Sequence, residues 1–119
     1  MLRKNVLRKK ADFDLLYKRG KSAGDKYVVV FSKANNLGYG RRAFLASKKV
    51  GDSVERNRAR RLMKEAFRNL SREEEILRNV EKLDVIIIAR STISGKKECD
   101  VENSLKSAFT RIGIIEKKR

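Results

Sequence analysis

The chain has no histidine, no proline and a single cysteine in 119 residues. Each absence removes a class of chemistry. Without histidine the chain lacks the usual general base near neutral pH and the commonest metal ligand. Cys99 alone cannot close an internal disulfide, nor can it complete a zinc site without further thiols or imidazoles. With no proline, no internal repeat and no low-complexity linker, the sequence reads as one domain over residues 1–119, in which residues 1–8 form a flexible basic arm. No apolar run approaches the ~20 residues of a membrane span. The basic opening "MLRKNVLRKKADF" is not followed by the apolar core of a signal peptide. A cytoplasmic protein with no membrane partner is expected.

What the chain does have is positive charge, with a formal net charge of +16. Solubility needs far less, so the excess points to a polyanionic partner. Its distribution is uneven. Through Arg72 there are 21 Lys and Arg against 6 Asp and Glu, and from Glu73 onward 10 against 9. The partner surface therefore belongs to the first three fifths of the chain.

The coarse element order follows from spacing. In "KKADFDLLYKRG", Phe13, Leu16 and Tyr17 fall on one helical face, and Gly20 is a natural stop. "YVVVFSK" reads as a strand with Tyr27, Val29 and Phe31 on one side and Val28 and Val30 on the other. "ANNLGYG" supplies turn residues, which makes "RRAFLASKK" the returning antiparallel strand of a hairpin. An acidic stretch, "SREEEILRNVEK", leads to "LDVIIIAR", whose continuous apolar run suits a strand buried on both faces. A last helix in "CDVENSLKSAFTRIGII" would be capped by Asp100 and bury Val101, Leu105, Ala108, Phe109 and Ile112.

The most informative stretch is "SKKVGDSVERNRARRLMKEAFR", with eight Lys and Arg in 22 residues. Asp52 followed by Glu55 resembles a capping box and predicts a helix over Ser53–Leu70. At 100° per residue, Ala59, Leu62, Met63, Ala66, Phe67 and Leu70 gather into one stripe. Asn57, Arg60, Arg61, Lys64 and Arg68 lie opposite, flanked by Arg56 and Arg58. Glu65 is the only acid between Arg56 and Arg68. A solvated face normally interleaves acids at i±4 to relieve repulsion, so an anionic partner explains this ridge better. Arginine suits phosphate because its planar fork donates two hydrogen bonds at once. A basic-zipper reader is excluded, because no leucine heptad follows and strands flank the helix.

The sequence gives no sign of catalysis by the chain itself. No nucleophile has a base beside it, Asp12 and Asp14 at i,i+2 diverge on a helix, and Glu73, Glu74 and Glu75 form a charge run rather than a converging cage. No catalytic residue and no metal ligand is assigned.

The block from Ser47 to Arg68 closely resembles the signature of the protein subunit of bacterial ribonuclease P. "RKKADFDLLYKRGKS" and "DVIIIAR" ahead of a C-terminal helix are similar to the same family, in the same order. The resemblance implies an α/β (α+β) sandwich, a small central sheet packed with helices in the order helix, strands, basic helix, strand, helix. It further implies a left-handed crossover joining parallel strands through the basic helix, an exception to the usual hand. The implied function is to partner a catalytic RNA that removes the 5′ leader of precursor tRNA, with the RNA holding Mg2+ and performing hydrolysis. By matching position, Arg56, Asn57, Arg58, Arg60 and Arg61 would face the catalytic RNA, with Lys64 and Arg68 extending the ridge. Phe13, Tyr17 and Phe31 would line a cleft for the single-stranded leader, and Lys48 and Lys49 would meet phosphates at its edge. The strand register leaves Tyr27 as an alternative to Phe31, and Phe13 and Phe31 can also be read as ordinary core. The rival reading is a basic ribosomal-type RNA-binding protein with no processing role.

Overall fold

The computed structural model describes residues 3–116. Its elements are α1 (Lys10–Arg19), β1 (Lys21–Gly24), β2 (Val28–Ala34), β3 (Arg41–Leu45), α2 (Ser53–Leu70), α3 (Glu74–Val80), β4 (Leu83–Ala89) and α4 (Glu98–Ile112). The strands form one sheet in the order β1-β2-β4-β3. β1 and β2 are an antiparallel hairpin, β2 is antiparallel to β4, and β3 is parallel to β4. The connection from β3 through α2 and α3 to β4 is thus the parallel crossover that the resemblance implied.

This order corrects the expected hairpin between "YVVVFSK" and "RRAFLASKK". β4 lies between them, with Val85, Ile86 and Ile87 buried. A strand apolar on both faces is most stable with neighbours on both edges, and that central place outweighs the usual pairing of consecutive strands. The "ANNLGYG" segment accordingly spans the end of β4. The Asn35 amide nitrogen of the backbone donates to the Lys82 carbonyl, and the Asn35 side chain donates to Tyr39 O and Asp84 Oδ1. Gly40 passes so close to α3 that a Cβ there would sit 2.1 Å from the Val80 carbonyl oxygen. The real hairpin partner of β2, the four-residue "KSAG" strand, has too little alternation to be read as a strand.

The sheet is covered unequally. On one face α2, α3 and α4 bury Val28, Val30, Phe44, Val85 and Ile87, with Phe67 standing edge-on to Phe44 at 5.7 Å and to Phe109 at 6.1 Å. The Asn69 side chain ties α2 to α4 through Glu98 and Glu102. On the other face a smaller cluster, Leu7, Leu16, Ala43 and Ile86, sits under α1.

The helix bounds show how local signals act. α2 starts and stops where its spacing predicts, with the Asp52 carboxylate accepting from the Glu55 amide at 2.9 Å. Only half of the box forms, because the Glu55 carboxylate accepts from Ser94 Oγ instead. α4 begins three residues earlier than a cap at Asp100 suggested, and Asp100 sits in its first turn accepting from the Lys97 amide. The acidic stretch contains α3, which sequence reading left unassigned.

The flexible arm is also corrected. Val6 bridges Arg42 in parallel, the Leu7 amide donates to Arg42 O at 2.9 Å, and Leu7 is buried. The apolar pair Val6-Leu7 turns residues 6–7 into a short extension of the sheet beyond β3. Met1 and Leu2 lie outside the described residues.

Candidate RNA interface

Strand alternation puts successive residues on opposite faces. On the thinly covered face this stacks two rows across β3, β4 and β2: Ala43, Ile86 and Phe31, then Leu45, Ile88 and Val29. α1 covers the first row through Leu16 and leaves the second half-open. Phe13 and Tyr17, one turn apart, lean over the same face. Their rings are 6.5 Å apart, and Tyr17 meets Phe31 edge-on at 5.0 Å. Phe13 and Phe31 are half-buried against the small cluster, whereas Tyr17 is 44% exposed. Phe13, Tyr17 and Phe31 together make a partly exposed aromatic edge to this apolar face. Partial burial, and then the Asp14 carboxylate, raise the Tyr17 phenol above its ordinary value, so the ring is neutral at physiological pH. Tyr27, the alternative to Phe31, packs instead against the main core.

α1 is seated on the sheet by two features. Gly20 ends it because any Cβ would meet Leu16 O at 2.5 Å and Ser32 O at 2.8 Å, so the helix end can lie flush on β2. Arg41 on β3 bonds Asp84 on β4 and reaches Asp12 on α1 at 3.1 Å. The bonds to Asp84 first, and those to Asp12 after them, hold the guanidinium above its ordinary value despite burial. Lys48 and Lys49 are exposed in the turn that leaves β3 beyond Leu45.

The basic helix separates its cations into two groups. Asn57, Arg61, Lys64 and Arg68 are exposed. Arg60 is half-buried and donates to Asn57 Oδ1 at 2.7 Å, and Arg68 pairs with Glu65 at 2.8 Å. Arg56 and Arg58 are turned toward the protein. Arg56 donates to Gly51 O at 3.1 Å, and Arg58 donates to Lys96 O at 2.7 Å, tying α2 to the segment before α4. Of the sequence-assigned ridge, Arg58 is thereby the residue most committed to holding the fold.

Sequence reading missed Arg42. Alternation along β3 points it to the same side as Phe44, where its guanidinium lies 4.8 Å from the centroid of the Phe67 ring. It opens into a groove of about 590 Å3 between α2, α3 and the β3 edge. A cation at an inward-facing strand position was the available signal.

Among the described residues no three carboxylate, thiol or imidazole groups converge as a metal cage. Asp12 and Asp84 are neutralised by Arg41 rather than directed at solvent. What remains chemically is a stacking surface on one face of the sheet and a cationic helix on the other, an arrangement suited to two strands of RNA at once.

Known proteins resemble this chain over nearly its whole length. The ribonuclease P family model matches residues 1–113. The ribonuclease P protein component of Clostridioides difficile is 39% identical over 108 residues, covering 91% of each chain. That of Clostridium kluyveri is 36% identical over 110 residues, covering 92% of this chain and 96% of the other. The RNase P protein structure from Staphylococcus aureus superposes with a TM-score of 0.75 at 27% identity, covering 92% and 96%. The one from Thermotoga maritima gives 0.73 at 28% identity, covering 94% and 98%. With the family model matching residues 1–113 and relatives more than a third identical over nine tenths of the chain, this protein belongs to the ribonuclease P protein family.

Proposed function

We propose that the cleft of Phe13, Tyr17 and Phe31 receives the single-stranded 5′ leader of precursor tRNA while the exposed ridge of α2 holds the catalytic RNA. The family supplies the protein component of a ribonucleoprotein endoribonuclease that matures tRNA 5′ ends, and its partner is an RNA subunit. The observation that carries the finer reading is the exposed Tyr17 standing edge-on to the half-buried Phe31 on the thinly covered face of the sheet. Unpaired bases stack on such rings without regard to sequence, so the cleft can hold leaders of varied composition. Lys48 and Lys49, exposed in the turn after β3, would meet the leader's phosphates.

Asn57, Arg61, Lys64 and Arg68 lie on α2, across the sheet from the cleft, so substrate and catalytic RNA need not compete for one surface. Arg60 and Arg56 contribute charge from partly buried positions, and Arg58 contributes chiefly by positioning the helix. Hydrolysis and its Mg2+ are assigned to the RNA, in the cytoplasm where tRNA is made. No helix of the described residues is long and apolar enough to cross a membrane.

The test is cleavage of precursor tRNA in Mg2+ by the chain, the catalytic RNA and the two together. Product from the RNA, increased by the chain, with none from the chain alone, is expected. Cleavage by the chain alone would overturn this division of labour, and an RNA indifferent to the chain would favour the ribosomal-type reading.

A further inference from the structure

We infer that the groove at the foot of α2 holds one unpaired nucleotide of the catalytic RNA, its base against the open face of the Arg42 guanidinium and its phosphate among Arg61, Lys64 and Arg68. This rests on the reading that α2 faces that RNA, and it specifies how one of its nucleotides is held.

Arg42 is the first observation. Its neighbour Arg41 makes three hydrogen bonds to carboxylates, whereas Arg42 makes no ion pair and no side-chain hydrogen bond among the described residues. It is half-buried, and burial lowers its guanidinium from the ordinary value, with Glu81 partly offsetting this. The guanidinium carbon lies over the Phe67 ring, 4.8 Å from its centroid, and the side chain lines the groove. A guanidinium plane of this kind is a stacking platform for a base that is not already stacked in a duplex.

The surroundings suit the rest of a nucleotide. Phe44 and Leu77 add apolar surface, and Leu77 is 38% exposed on α3 although it has no polar role. Arg61, Lys64, Arg68 and Arg72 line the rim against one acid, Glu65, which Arg68 already neutralises. At the α2 end of the groove the Ser71 hydroxyl is buried with no hydrogen-bond partner. A volume of about 590 Å3 falls within the roughly 300–1,000 Å3 of small-ligand sites, enough for a nucleotide and too narrow for a helix of RNA. An acidic peptide would satisfy the cations but would leave the guanidinium face without a planar partner.

The experiment uses the assembled ribonucleoprotein. Leu77→Cys, in a Cys99→Ser background, carries a short photo-crosslinker into the groove. Crosslinks to a single unpaired nucleotide of the catalytic RNA are expected, with yield falling about tenfold when Arg42→Gln is added. Should Arg42→Gln fail to fold by circular dichroism, Leu77→Glu serves in its place, placing a like charge beside the phosphate and weakening RNA affinity about tenfold. Crosslinks confined to paired RNA or to precursor tRNA, or none from a complex of unchanged affinity, overturn the groove and leave the ridge intact. Failure of the ridge itself shows separately, as an unchanged salt dependence in the Arg61 and Arg68 double variant described below.

Discussion

Arg41 and Asp84 are paired across the parallel strands β3 and β4, and their side chains repeat that pairing with hydrogen bonds of 3.0 Å from Nε and 2.7 Å from Nη2. Both are mostly buried, and the spare Nη1 reaches Asp12 on α1. This is the fork geometry that makes arginine irreplaceable by lysine. Arg41→Ala leaves the Asp84 charge buried with only the Asn35 amide to hold it, and should cost about 3 kcal/mol of stability in urea denaturation. Arg41→Lys should recover less than half of that. Because α1 carries Phe13 and Tyr17, the folded fraction of Arg41→Ala should also bind leader-bearing substrate less tightly while keeping its affinity for the catalytic RNA.

Tyr17 separates substrate reading from assembly. Tyr17→Ala removes an exposed ring, so the fold should survive with an unchanged circular dichroism spectrum. One lost stacking contact is worth about 1–3 kcal/mol, which should weaken binding of precursor tRNA to the assembled enzyme tenfold or more. Mature tRNA, which lacks the leader, should bind as before. Equal losses for precursor and mature tRNA would remove the leader from the cleft.

The exposed ridge is read by salt. Replacing Arg61 and Arg68 with Ala removes two cations that point away from the core. Affinity for the catalytic RNA should fall, and the slope of log K against log salt should flatten by roughly 1.4 to 1.8. Arg58→Ala should behave differently, lowering thermal stability through loss of the bond to Lys96 O while changing the salt slope little.

Asp25 sets an acid limit on the β1–β2 turn. Burial alone would raise its carboxyl, but the Lys26 amide, the Ser107 and Ser104 hydroxyls and the Arg111 guanidinium together outweigh it, and the group titrates below its ordinary range. A carboxylate depressed on folding contributes stability that is present above its unfolded value, about 3.9, and is lost as pH falls through the folded value. Asp25→Asn should therefore cost about 1 kcal/mol at pH 7, and the difference from the parent chain should close as the pH drops below about 4. A difference that persists at pH 2 would assign the effect to packing.

The sequence by itself determined what depends on near neighbours. The bounds of α2 follow from Asp52 and a stripe from Ala59 to Leu70, and each residue of that stripe is buried. The sidedness of β2 followed from its alternation, so Phe31 could be set apart from Val28 and Val30, and the spacing of Phe13 and Tyr17 put both on one side of α1. Charge counting located the ridge. Only the tertiary structure decided which strands meet. The exchange of the expected β2–β3 hairpin for a central β4, the docking of Val6 and Leu7 beside Arg42, and the diversion of Arg58 to Lys96 O all join residues 35 or more apart in sequence. Helix periodicity and capping act within a turn or two of chain, whereas strand pairing is chosen by burial of whole faces, and no local pattern records which distant face will supply it.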